Sequence, residues 1–395
     1  MTVLSRSRFV QTASAAFAAL ATGLAGMVRA QSTIALRMTS ARLSDCQSSH
    51  FPWLQLISAN LNKEILMHRF LPFALILSLS LAAFQANAQA PVKRLLRIHT
   101  AGPADVGVDN TMLATEFANR VNAASATLEV KVFPNSQLGQ SREVIEAMRL
   151  GSGASGTTGG AAEYASFVKR VGVLGLPFLW KSYDHALKVL DGPVGKELNA
   201  DMEKGGFKVL SWGVSWGYRN VVTAKKEVKQ ASDLKGLKIR TIPTKVFVSA
   251  INAMGANATP MNFGEIYTSL QGGVLDGFEH TAATTLAFKL NEVSCCIAMT
   301  RHLMDPVVLT LSMTEWRKLS LAEQAVVTKA ADDAGTTVRA LASVREAESL
   351  AAVKKLGMKV NDIDREPLQK AALPAQDELA KEFGAESLLK QIRAQ

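Results

Sequence analysis

Cysteine is scarce in this chain of 395 residues: there are three, and the only two beyond the first 88 residues are neighbours, Cys295 and Cys296. No disulfide framework can be built from them, and no histidines or cysteines stand at zinc-ligand spacing. Adjacent strand residues point to opposite faces, so the pair reads as two reduced, partly buried thiols. Catalytic signatures are missing as well. There is no H-E-x-x-H and no G-x-S-x-G elbow, and the histidines beyond the first 88 residues, His99, His185, His280 and His302, form no metal pattern. The glycine-rich patch 151–160 holds no lysine and is followed by no Gly-Lys-Ser/Thr, so it is not a phosphate loop. Its small residues allow close backbone approach, either to packed neighbours or to a ligand. Carboxylates abound, but none stands out as a pair. No enzyme, no metal and no cofactor is expected.

What is present begins with two leader-like segments. Met67-His68-Arg69 is a short basic start, 70–84 is an apolar run, and Ala86-Asn87-Ala88 is a small-residue cleavage signal, which together read as a secretory signal peptide over 67–88. The run is shorter than the ~20 residues of a membrane span. A second leader precedes it, with Arg6 and Arg8 before the alanine-rich run 10–28 and a possible cut after Ala30. Both leaders run into similar strand openings, Leu36-Arg37-Met38 and Leu96-Arg97-Ile98. Residues 1–66 are therefore read as a non-functional extension, with Met67 as the functional start of an exported protein. Seven of the 44 basic and two of the 34 acidic residues lie in the first 88, so the remainder carries 37 against 32, a balance of +5. Its charges are mixed, with no basic stripe bearing aromatics, which argues against nucleic acid. A mild positive balance suits a small anion.

From residue 95 the chain alternates short apolar runs with helical patterns, the mark of an α/β fold. Strands are expected over 95–101, 128–133, 207–214, 218–223 and 307–313, and helices over 109–122, 141–150, 183–190 and 194–204. Residues near 215 and 306 are candidate hinges between two lobes. The stretch 321–356 reads as one long helix spanning both lobes, or as two helices broken at Gly335. The expected division is 91–214 with 306–345 for the first lobe and 215–305 with 346–395 for the second.

For binding chemistry two arginines remain. A guanidinium holds a carboxylate bidentately and keeps its charge at physiological pH. Arg240 closes the run Leu237-Lys238-Ile239-Arg240 before Pro243, where α/β ligand sites usually lie, although the same spacing suits a solvent-facing strand end. Arg219 is open to the same two readings. Trp212, Trp216, Tyr218 and Phe178 are core aromatics or a lid over a ligand.

Several ordered motifs bear a resemblance. Phe133-Pro134-Asn135-Ser136-Gln137-Leu138-Gly139 with Glu143, Leu176-Pro177-Phe178-Leu179, Asp233 to Arg240, Gly255-Ala256 through Gln271, and Asp276-Gly277 are similar to the substrate-binding proteins of TRAP (tripartite ATP-independent periplasmic) transporters, the DctP type. The similarity covers about residues 93–390. It implies a two-lobed periplasmic-binding-protein fold with strand hinges and a bracing helix. It further implies closure on a small carboxylate and delivery to a membrane permease, with the receptor itself a monomer. The resemblance assigns the carboxylate grip to Arg240, with Arg219 assisting. Many members end a D-G-Q-E-N motif in a ligand-binding Asn, where this chain has Asp276-Gly277-Phe278-Glu279-His280. His280 and Phe278 thus join Trp216, Tyr267 and Thr157 as expected ligand residues, and Phe278 suggests a less polar ligand tail. A binding protein for an ATP-driven importer or a sensor is the alternative, and a periplasmic enzyme using His280 as base is a more remote one.

Overall fold

The structure, a computed structural model, describes residues 92–395 except Val106. Both leader segments, the Met67 start and the 1–66 extension lie outside the described residues. In chain order the elements are β1 (Arg94–Thr100), α1 (Asp109–Ala124), β2 (Leu128–Phe133), α2 (Ser141–Arg149), β3 (Gly156–Gly160), α3 (Tyr183–Asp191), α4 (Pro193–Lys204) and β4 (Phe207–Trp212). Then come β5 (Arg219–Thr223), β6 (Lys238–Thr241), α5 (Lys245–Ala253), β7 (Asn257–Pro260), α6 (Ile266–Gln271), β8 (Gly277–His280), α7 (Ala282–Ala287) and β9 (Cys296–Leu303). The chain ends with β10 (Val307–Ser312), α8 (Leu321–Lys355), β11 (Lys359–Asn361), α9 (Glu366–Phe383) and α10 (Glu386–Arg393).

These strands make two sheets, one at the heart of each lobe, in the orders β2-β1-β3-β10-β4 and β11-β9-β5-β8-β6-β7. In the first, β1 runs parallel to β2 and β3, while β10 is antiparallel to β3 and β4. In the second, β6 is parallel to β7 and β8, and β5 is antiparallel to β8 and β9. Helix α1 buries Leu113, Phe117 and Val121, spaced four apart on one helical face, against the first sheet's core. Helix α2 starts with a capping box in which Gln140 and Glu143 satisfy each other's backbone N–H groups.

The chain passes between the sheets at β4–β5 and returns at β9–β10, and the two passages lie side by side. Gly213 N donates to Val307 O at 2.6 Å, and Ser215 Oγ to Asp305 O at 2.5 Å. Helix α8 is a single helix of 35 residues, capped by Ser320 and Glu323, and at 1.5 Å per residue it is about 50 Å long. Its Val327, Val338 and Ala342 belong to the first core and its Val353 to the second, so it braces both lobes. Gly335 does not break it. A Cβ there would collide with Ser211 Oγ, so glycine allows β4 to lie directly against the helix.

Two findings depart from the sequence reading. Leu379, Phe383, Leu388 and Ile392 of α9 and α10 are buried in the first core, although 346–395 was assigned to the second lobe; the ring of Phe383 occupies the space left by Gly172. Cys295 and Cys296 form a disulfide instead of staying as thiols. The alternation argument fails because β9 begins only at Cys296, which leaves Cys295 off the pleated strand.

Candidate functional site

A cavity of about 160 Å³ opens between the two sheets, its walls drawn from both. Three residues expected from sequence meet in it: Arg219 at the start of β5, Arg240 near the end of β6 and His280 at the end of β8. The strand order makes this possible, because β8 lies between β5 and β6. Asn220 registers with His280, and Arg240 with Phe278.

Arg240 is 2 % exposed. Its Nε and Nη2 both donate to Met261 O, at 2.9 and 2.7 Å, and its guanidinium stacks 5.6 Å from the Phe263 ring centre. Its Nη1 is buried and has no partner among the described residues. Burial, with Arg219 nearby, lowers its pKa to about 10, so it is charged at neutral pH. A buried cation with one N–H unpaired is a costly arrangement unless an anion completes it.

Arg219 is differently placed. Nε donates to Glu279 Oε2 at 2.5 Å, Nη2 to Oε1 at 2.8 Å and to the Glu279 carbonyl at 3.1 Å. The carboxylate is fully buried, and burial alone would raise its pKa; the Arg219 charge and hydrogen bonds outweigh that and hold it at about 2, with the His302 ring 3.7 Å away. This pair fixes the guanidinium in place and leaves only Nη1 facing His280, 3.2 Å from Nε2.

The remaining expected residues sit elsewhere. Trp216 is 1 % exposed and donates from Nε1 to Val338 O on α8, with Arg345 stacked over its ring. Phe278 is buried with Val222, Ile266 and Leu270 in the second core. Tyr267 donates its hydroxyl to Glu292 at the surface. Thr157 is buried in β3 beside His99 and Thr310, and its neighbours Thr158, Gly159 and Gly160 reach the cavity in its place. Phe278 therefore adds no apolar surface to the cavity. The less polar ligand tail expected from it loses its basis.

Sequence reasoning missed an acidic wall. Asp109, Glu163 and Asp305 all line the cavity, joined by Asn110, Gln140 and Ser141. Burial raises Glu163 to about 7 against the pull of Ser141, Arg219 and Arg240. Burial likewise raises Asp305 to about 7, with Arg219 and the Ala162 N–H opposing, and raises Asp109 despite hydrogen bonds from the Asn110 and Trp216 N–H groups. Two glycines make room for these acids. A Cβ at Gly160 would collide with the Asp305 carboxylate, and one at Gly159 would fall 2.6 Å from Glu163 Oε2. The close approach that the glycine-rich patch permits is thus to carboxylates of the cavity wall. The available signals were Glu163, three residues after Gly160, and Asp305 before Pro306 at a lobe crossing.

Among the described residues no cluster of His, Cys, Asp and Glu could hold a metal. The arrangement instead offers cationic donors on one wall and acceptors on the other, suited to gripping an anion that also carries donors.

Residues 108–382 match the bacterial extracellular solute-binding proteins, family 7, known as DctP. A solute-binding protein of Verminephrobacter eiseniae is 33% identical over 310 residues, 78% of this chain and 91% of that protein. Among solved structures, a TRAP periplasmic solute-binding protein of a Bradyrhizobium species in complex with galacturonate is 34% identical, with a TM-score of 0.72 over 76% of this chain and 100% of that one. One from a Polaromonas species bound to D-erythronate is 35% identical, also with a TM-score of 0.72, over 76% and 99%. With two-lobed architecture, an arginine-lined cleft and a match across most of its length, this chain belongs to the family of TRAP-transporter extracellular solute-binding proteins.

Proposed function

We propose that this protein is a periplasmic receptor that captures a hydroxylated organic acid of the sugar-acid class and hands it to the membrane permease of a TRAP transporter. Its leader is 67–88, it works as a monomer, and it catalyses no reaction. The single observation that carries the reading is the unpartnered Nη1 of buried Arg240, set in a cavity whose other wall is Asp109, Glu163 and Asp305. A carboxylate completes the arginine, and hydroxyl groups donate to the acids. The ligands of the similar solved structures, galacturonate and D-erythronate, are of this type.

Arg240, Arg219 and His280 form the carboxylate end. Enclosure between lobes built on 91–214 with 306–345 and on 215–305 with 346–395, of which α9 and α10 pack back against the first core, takes the carboxylate out of water. There an arginine pair contributes more than the ~0–1 kcal/mol of an exposed one. Ligand binding shifts an open–closed equilibrium about the two strand passages. A thermal-shift panel of D-galacturonate, D-glucuronate and D-erythronate, with succinate as a carboxylate lacking hydroxyls, tests the reading. Stabilisation by at least one sugar acid and not by succinate is expected; stabilisation by succinate alone would overturn it.

A further inference from the structure

We infer that capture by this receptor is proton-linked: as an anionic solute enters the cavity, the wall acids Glu163 and Asp305 take up a proton, so that the site gains no net charge. The inference deepens the receptor reading above and rests on it for the charge of the occupant.

The link follows from counting the charges that face one another across the cavity. On the wall of the second sheet, Arg219 is matched by the Glu279 carboxylate it holds. His280 and His302 add no charge, since burial and the neighbouring Arg219 disfavour their protonated rings. Arg240 is left over as one buried positive charge. Opposite stand three carboxyl groups. Asp109 accepts the Asn110 N–H at 2.8 Å and the Trp216 N–H at 3.1 Å, and two such donors favour its ionised form. One carboxylate already balances the one spare cation. Asp305 has a single backbone donor, the Ala162 N–H at 3.2 Å, and Glu163 faces Ser141 and the Gly160 N–H.

Other groups around these acids do not alter the count. The Tyr164 hydroxyl, 2.6 Å from Thr310 Oγ1, is kept neutral by burial. Arg142 at the start of α2 and Glu265 ahead of α6 lie at the rim, exposed, where water and salt screen them. Like charges enclosed in one space resist ionising together, and Glu163 and Asp305, pushed up by burial, each lie at about 7. A change of one charge in the cavity therefore moves their protonation.

A carboxylate solute makes that change. It takes the unpartnered Nη1 of Arg240 and neutralises the charge that had favoured ionised acids opposite. A wall carboxylate is then left beside a second anion with no cation to spare. Taking a proton removes the conflict, and the protonated carboxyl gains an O–H that donates to a solute oxygen. Because the complex binds more protons than its separate parts, affinity falls as pH rises. It is flat well below 7, where the wall is already protonated, and falls through and above 7 by at most about tenfold per pH unit for one proton.

Two measurements on the wild-type protein test this. Infrared pH-difference spectra follow the C=O stretch of protonated carboxyl groups, with the wall signals identified by their loss in Glu163→Gln and in Asp305→Asn. Without solute, these signals should titrate around pH 7, and adding a solute that binds should strengthen them at pH 7.5. Calorimetric titration with D-galacturonate, D-glucuronate and D-erythronate is run at pH 7.5 in HEPES and in Tris, whose ionisation enthalpies differ. These acids stay ionised throughout, so the protein supplies the titrating group. For an acid that binds, the enthalpy difference should correspond to uptake of roughly half to one proton, and affinity should fall roughly threefold to tenfold from pH 6.5 to 8.5. Wall acids already fully ionised at pH 5, equal enthalpies in the two buffers, proton release, or an affinity flat over that range overturns the proposal. If no acid of the panel binds between pH 5.5 and 8.5, it is the sugar-acid reading that falls, and the infrared titration alone then decides whether the wall exchanges protons near neutrality.

Discussion

Replacing Glu279 by glutamine keeps the volume of the side chain but removes the charge that holds Arg219. Glu279 is fully buried and accepts from Arg219 at 2.5 and 2.8 Å, with Thr241 Oγ1 at 3.4 Å. Glutamine offers one acceptor and an N–H₂ that opposes the guanidinium, so Arg219, 4 % exposed, is left charged and uncompensated. Breaking a buried ion pair in this way costs about 3–5 kcal/mol. A second route gives a similar size. Moving a carboxyl from 4.5 to about 2 corresponds to about 3 kcal/mol at 1.36 kcal/mol per unit. Because the pKa of this acid is depressed in the folded state, its contribution is present above the unfolded value and is lost as pH falls through about 2. The destabilisation of Glu279→Gln should therefore be full at pH 7 and shrink towards pH 2. Guanidinium unfolding followed by tryptophan fluorescence measures it. A loss below about 1 kcal/mol at pH 7 would refute the reasoning. The double variant Arg219→Met/Glu279→Leu should recover most of the lost stability while losing ligand affinity, which separates the pair's structural role from its binding role.

Two further outcomes are expected. Asp305, raised by burial to about 7, contributes stability that is full below 3.8 and lost as pH rises through 7. Asp305→Asn should thus gain on wild type in melting temperature from pH 4 to pH 8, and a gap that stays constant with pH would contradict the burial of a charged acid there. Gly160→Ala places a methyl into the Asp305 carboxylate and should destabilise by about 1–3 kcal/mol in chemical unfolding. An unaffected variant would mean that the acid is not held against β3.

Spacing alone left Arg240 and Arg219 open to a surface reading; the motifs that resemble the family singled them out with His280, and the structure places all three on the cavity. Arg240 ends an apolar strand, and Arg219 and His280 stand at the ends of the two strands that pair beside it. The acid wall was not legible, since Asp109, Glu163 and Asp305 come from three distant segments that only the sheet order assembles. Aromatic residues misled for a related reason. Trp216 is next to, and Phe278 two positions from, a cavity residue in sequence, but which neighbour a ring packs against is set by α8 and the second core. Gly335 shows the same limit, because its meaning depends on Ser211, more than a hundred residues away. The alternation of strands and helices carried the fold itself, down to the long helix.

The central claim is that buried Arg240 is an incomplete cation awaiting a carboxylate. Isothermal titration of wild type and Arg240→Ala with the sugar acid that most stabilises the wild-type protein tests it directly. We expect one molecule bound per chain and at least roughly a hundredfold loss in Arg240→Ala, the scale of a desolvated charge pair. The variant's own melting temperature should be unchanged or higher, since an uncompensated buried charge has been removed. Equal affinity in the two proteins would contradict the account.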